Sequence, residues 1–111
     1  MTVTVTVLIP AKIAESSQTT QYTSTGLTTI IDKFTATNYS AVPATISVNL
    51  VTTSGSAGNL NLITKTKTLQ ADETYTFPEI VGQALAAGDF ISTIAGTATS
   101  INIRASGRQV T

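Results

Sequence analysis

The sequence predicts an all-β chain: one antiparallel β-sandwich, of jelly-roll or Ig-like Greek-key type, with about eight strands and one short helix. Three observations carry that prediction. Thr and Ser supply 23 and 10 of the 111 residues, and Thr is β-branched, suiting a pleated surface that its hydroxyl keeps wet without charge. Short runs alternate apolar and polar residues with a period of two, the signature of a half-buried strand. Turn signals separate those runs at regular intervals, with none of the strand-helix-strand alternation of a parallel sheet. At 11.5 kDa the chain fits a single domain over residues 1–111, large enough to hide roughly two-thirds of its extended surface in one core.

The opening run places Thr2, Thr4 and Thr6 on one side and Val3, Val5 and Val7 on the other, a strand with one dry and one wet face. Pro10 is expected to end it, since proline lacks the ladder donor. The polar stretch 11–25 then reads as a loop with one short strand near Tyr22. That long loop would let residues 1–10 swing out as an exchangeable arm and pair with a neighbouring subunit or a host surface. Residues 27–37 form the next strand, with Ile30, Phe34 and Ala36 sharing one parity and Asp32 discordant on it. Asp32 is either bulged outward or buried against Lys33 or Arg104. Residues 45–53 alternate again, with Ile46, Val48 and Leu50 inward, and pair with 27–37 as a hairpin across Asn38-Tyr39-Ser40 and Pro43.

Residues 54–59, Ser-Gly-Ser-Ala-Gly-Asn, read as a flexible connection. Residues 60–70 form a strand whose centre, Thr-Lys-Thr-Lys-Thr, has no apolar face, and its lysines suit a sheet edge. A turn at 71–73 leads into a short strand over 74–77. Residues 78–85 are the one candidate helix, with Pro78 at its first position and a glycine beyond its end. Strands follow over 90–94 and 98–105, the latter with Ile101 and Ile103 on one face, and Ser106-Gly107 is read as a last break.

Composition excludes more than it assigns. Six Lys+Arg balance six Asp+Glu, and His, Cys and Trp are absent. Without an imidazole or a thiol there is no Ser-His or Cys-His nucleophile and no Cys/His metal site. The six acids, Glu15, Asp32, Asp72, Glu73, Glu79 and Asp89, fall mostly at turns, with no Asp-x-Asp-x-Asp-Gly calcium spacing. The chain is read as non-enzymatic, with no cofactor. Charge neutrality and scattered aromatics argue against nucleic acid, despite Lys65 and Lys67 lying two apart and Arg104 and Arg108 near one another. No apolar run approaches the roughly 20 residues that span a bilayer, and residues 1–8 lack the basic leader and apolar core of a signal peptide. Zero net charge removes the repulsion that keeps copies apart, so self-association is expected.

Three segments carry a resemblance: Leu69-Gln-Ala-Asp-Glu-Thr-Tyr-Thr-Phe77, Gln83-Ala-Leu-Ala-Ala-Gly-Asp-Phe-Ile-Ser92 and Ile101-Asn-Ile-Arg-Ala-Ser-Gly-Arg108. With residues 34–50 and their Asn38-x-Ser40 bend, they resemble small all-β virion proteins of tailed bacteriophages, over roughly residues 27–108. The resemblance implies a structural component attached in many copies to the major capsid protein, the connector or the tail. The chain would be made in a bacterial cytoplasm and finish in the virion, with no catalytic residues. Residues 1–25 lie outside the resemblance, and nothing is carried over to them; from the residues themselves, contact would be through Val3, Val5 and Val7 on the first strand, Tyr22 and Tyr39 in turns, and Ile80 and Val81 after Pro78. A carbohydrate-binding or adhesin-like module, or an assembly factor missing from the finished particle, are the alternatives.

Overall fold

The computed structural model describes residues 1–111 throughout. Its strands are β1 (Val3–Ile13), β2 (Thr19–Thr23), β3 (Thr28–Asn38), β4 (Ala44–Val51), β5 (Leu62–Leu69), β6 (Thr74–Tyr75), β7 (Ala84–Leu85), β8 (Phe90–Ala95) and β9 (Ile101–Val110). They form two antiparallel sheets, β1-β9-β3-β6 with β7 also on β3, and β2-β8-β4-β5. If β6 and β7 are counted as one interrupted strand, the first strand pairs with the last, the second with the next to last, and so inward to β4 with β5. A long ribbon paired in this way and wrapped into two facing sheets is a jelly roll.

The core lies between the sheets and follows strand parity. Ile31, Phe34 and Ala36 of β3 and Ile101, Ile103 and Ala105 of β9 face Ile46 and Val48 of β4 and Ile91 and Ala95 of β8, all buried. Phe34 and Phe77 meet edge to face with ring centroids 4.6 Å apart, and Tyr75 lies 4.7 Å from Phe77, a geometry that aromatic quadrupoles favour. The strands expected over 45–53 and 60–70 are present as β4 and β5, with 52–53 outside the first and Leu60 and Asn61 in a 3-10 turn before the second, which lies at the outer edge of its sheet beside β4.

The structure departs from the sequence reading at five places. First, β1 runs through Pro10 to Ile13, and only residues 14–18 link it to β2. Pro10 falls within a register slip between Ile9 and Lys12 on an edge strand, where a missing N–H breaks no ladder. The strand is therefore integrated, paired with β9 from Val3↔Val110 to Ile13↔Asn102. The slip between Val7 and Ile9 lets both Leu8 and Ile9 turn inward, so Thr4 and Thr6 take the inner row and the valines face out.

Second, β3 and β4 make no hairpin; they belong to opposite sheets. Buried Asn38 forms the corner. Its Nδ2 donates to the carbonyls of Val42 (2.8 Å) and Leu69 (3.0 Å), while its Oδ1 accepts from the Ser40 amide and hydroxyl. Its backbone is bonded to Glu73 and Asp72, so one residue fastens the loop 39–43 to the end of β5 and the turn that follows it.

Third, residues 78–85 form no helix. Gly82 donates to the Ile31 carbonyl (2.7 Å), and Ile31 donates to that of Gln83 (3.0 Å). The Ile80 and Val81 amides close a single turn on the Phe77 carbonyl, and it goes no further because the Gly82 amide and the Gln83 carbonyl are spent on β3. Gly82 sits at φ 91, left-handed territory open to glycine. Ile80, expected at an interface, is wholly buried, so its side chain serves the core.

Fourth, the loop over residues 54–59 is pinned to the outer face of β4. Asn49 Nδ2 donates to Asn61 Oδ1 (2.7 Å) and the Gly58 carbonyl, and Asn61 Nδ2 donates to the Ser56 carbonyl. Fifth, β9 is unbroken at Gly107. The glycine marks a close approach: a Cβ there would collide with the Ile30 carbonyl and press on Leu8. Gly107→Ala should therefore cost about 1–3 kcal/mol, the range for forcing an extra carbon into a packed site. Urea unfolding checks this; Gly58→Ala, where a Cβ meets nothing, should cost far less.

Candidate interaction surface

The outer face of the β1-β9-β3 sheet is the largest continuous surface carrying the residues singled out above. On an antiparallel sheet, residues paired across strands share a face, so its rows can be read from register. One row is Val3, Val110 and Thr28; the next is Val5, Arg108, Ile30 and Ala84; the third begins with Val7 and Ser106. Val3, Val5 and Val7 are 52%, 80% and 45% exposed, and Ile30 and Val110 are half-buried. An apolar patch thus lies on a sheet whose remaining outer residues are largely Thr, Ser, Asn and charged.

Lys33, beside Ser106 in the third row, forms no ion pair, but the Arg108 charge at the centre of the patch is neutralised. Asp32 occupies the bulge between Ile31 and Lys33 and receives Arg108 through two nitrogens, Nε at 2.9 Å and Nη2 at 2.9 Å. The carboxylate hydrogen bonds and its charge hold the Arg108 guanidinium above its usual range. The outward bulge was one of the two readings of Asp32, but its partner is Arg108, not Lys33 or Arg104. Ion pairs this exposed contribute little to stability; their effect here is to remove a net charge from the patch.

The other sequence candidates scatter. Tyr22 is half-buried and spans the two sheets, its hydroxyl bonded to Thr29 Oγ1 (2.7 Å) and receiving Gln109 Nε2 (2.9 Å). Tyr39 is 46% exposed in the loop after Asn38, at the opposite end of the sheet from Val3. Val81 is 40% exposed on the turn beside β3. Sequence reasoning missed Ile30 and Val110. Ile30 shares the parity of Phe34, and the bulge at Asp32, the discordant residue of that parity, puts the two on opposite faces.

Two further features have chemistry of their own. An open depression of about 340 Å³ lies between residues 13–17 and Ala98 and Thr99. Its one acid, Glu15, is engaged by Lys12 (2.9 Å) and Gln21 (2.9 Å), whose hydrogen bonds hold its carboxyl below the usual range. On the β5-β6 side, Glu79 accepts from Thr64 and from Tyr75 (2.6 Å), and Lys67 stands 4.8 Å over the Tyr75 ring. Burial alone would push the Glu79 carboxyl up, but the Thr64 and Tyr75 hydrogen bonds and the Lys67 charge outweigh it and hold it low. The hydrogen bond to Glu79, then burial, then the carboxylate charge push the Tyr75 phenol up to about 12.

That pair sets a pH dependence. A phenol raised from 10.0 to about 12 in the folded chain stabilises it fully below pH 10, and the contribution is lost as pH climbs to 12. The lowered Glu79 works in the opposite direction: its contribution is present above its ordinary value of 4.5 and lost as pH falls below it. Unfolding free energy should accordingly decline from pH 10 to 12, and Tyr75→Phe should flatten that alkaline decline in urea titrations. No three acidic side chains come together anywhere in the chain. No protein-family model, curated protein or solved structure matches the chain.

Proposed function

We propose that this chain is a non-enzymatic structural protein of a phage particle, a multi-copy decoration or collar component that docks on the capsid or connector. The observation that carries the reading is the outer face of the β1-β9-β3 sheet. There Val3, Val5, Val7, Ile30 and Val110 lie together around an internally neutralised Arg108–Asp32 pair. Exposed apolar patches rimmed by polar residues mark contact surfaces, and a flat sheet face suits a partner that recognises shape and apolar area rather than a reactive group. The jelly roll supports the reading only as a common architecture of capsid and lectin domains. An adhesin role would want clustered exposed aromatics, whereas Phe34, Phe77 and Tyr75 belong to the core region and Tyr39 stands alone on its loop.

The test is quantitative mass spectrometry of purified particles, in which the chain should be stoichiometric with a repeating virion protein. Val110→Asp, on the proposed face but away from the β1 edge, should leave the fold intact and reduce occupancy at least about tenfold, equivalent to roughly 1.4 kcal/mol of binding. Absence from washed particles, or full occupancy by the variant, would overturn the assignment.

A further inference from the structure

The two sheets have four edges, and three are blunted. β5 carries register slips, Lys65, Lys67 and a left-handed Thr66 at φ 41. β2 is five residues long and slipped between Thr20 and Tyr22. β6 and β7 are two residues each. These are the devices by which sheets avoid pairing with other chains. Over Val3–Val7, β1 has none of them: the register with β9 is unbroken, no residue is charged, and proline enters only at position 10.

The free groups on that edge can be named. Thr2 and Thr111 exchange both backbone hydrogen bonds. By antiparallel alternation Thr4 and Thr6 do the same with Gln109 and Gly107, which leaves the N–H and C=O of Val3, Val5 and Val7 pointing away from β9. No backbone partner within the chain reaches them.

We propose that this edge pairs with the β1 edge of a second copy, antiparallel about a two-fold axis at Val5, so that the β1-β9-β3 sheet continues across two chains. An isologous contact must be self-complementary, and this strand is. With Val5 opposite Val5 of the copy, Val3 falls opposite Val7, and each pair exchanges both backbone hydrogen bonds, so every free donor meets a free acceptor. Valine lies against valine on the outer face, and Thr4 against Thr6 on the other, a pairing that contributes through hydroxyl contact. Charge does not oppose it. The nearest charged side chain in the axial row is Arg108, already paired with Asp32, and the two copies of it stand three strand spacings apart, roughly 14 Å. A heterologous partner needs no such palindrome; a second copy does. The inference does not rest on the virion reading. A chain that dimerises but is missing from particles refutes only that reading, and a particle component that stays single refutes only this one.

Sedimentation equilibrium of the full chain decides it. The apparent mass should rise with concentration from 11.5 kDa toward twice that value. Val5→Pro removes an N–H that no ladder bond uses, and proline is tolerated where the N–H side faces solvent; this variant should remain at the single-chain mass. Val5→Lys, at an 80% exposed position, sets like charges on the axis and should also remain single, which keeps the test decisive if the proline variant misfolds. In this cysteine-free chain, Val5→Cys should oxidise to a covalent dimer, since directly paired strand residues stand about 5.5 Å apart, within disulfide reach. Thr35→Cys, on the same sheet but away from the edge, should not. A wild-type chain that stays single at every concentration overturns the pairing, whatever else binds the edge. Dimerisation undiminished in Val5→Lys does so too.

Discussion

Phe34→Ala should lower the unfolding free energy by about 3–5 kcal/mol, the largest loss expected of any single truncation in this chain. Phe34 is wholly buried on β3, packs edge-on against Phe77, and belongs to a core cluster with residues from both sheets. Removing the ring costs its transfer from water and leaves a cavity that rigid strands on both sides close poorly. For a domain of about this size each kcal/mol displaces the melting temperature by roughly 4–8 °C, so the variant should melt well over ten degrees early. Thermal and urea unfolding followed by circular dichroism would measure it, and a loss below about 1 kcal/mol would contradict the packing described.

Asn38→Leu should cost nearly as much, about 3–4 kcal/mol, although it makes the interior more apolar. The side chain is wholly buried and every polar atom on it is used. A leucine strands the buried Leu69 carbonyl, at about 1–3 kcal/mol for a buried group left without its partner, and loses the bonds to the Ser40 amide and hydroxyl, while the exposed Val42 carbonyl keeps the Ser40 hydroxyl (2.9 Å). Asn38→Asp should be at least as severe at neutral pH, since it loses both donated bonds and sets a buried carboxylate oxygen against the Val42 and Leu69 carbonyls. Amide exchange should show the effect concentrated at Ser40, Asp72 and Glu73, whose loops meet at this residue.

Much of the fold was legible in the sequence because parity is a local property. The inward faces of residues 45–53 and 98–105 and the edge position of the Thr-Lys-Thr-Lys-Thr strand follow from which neighbours alternate. Pairing was not legible, because it depends on residues far apart. The five residues after Asn38 serve a hairpin or a corner equally well, and only the bonds to Leu69 and Glu73 decide for the corner. Glycine misled in the same way. Gly107 has the composition of a break but exists for the Ile30 carbonyl and Leu8, contacts no local window contains. The candidate surface was half visible. Val3, Val5 and Val7 were singled out together, yet their regular alternation pointed to a buried face. The slip at Leu8 and Ile9 that turns them outward comes after the run has ended.

The order of the strands also bears on how the chain reaches this state. β9 lies between β1 and β3, so two strands made early have no common neighbour until the final stretch of the ninth strand has been synthesised. Structures dominated by such distant pairings have high contact order and fold in milliseconds to seconds rather than microseconds. On the ribosome the β4–β5 hairpin is the one adjacent pair able to form early, and the other sheet must wait for its centre. A pulse-labelled nascent chain halted before Ile101 should accordingly be protease-sensitive across residues 3–38, and become resistant only once β9 has emerged.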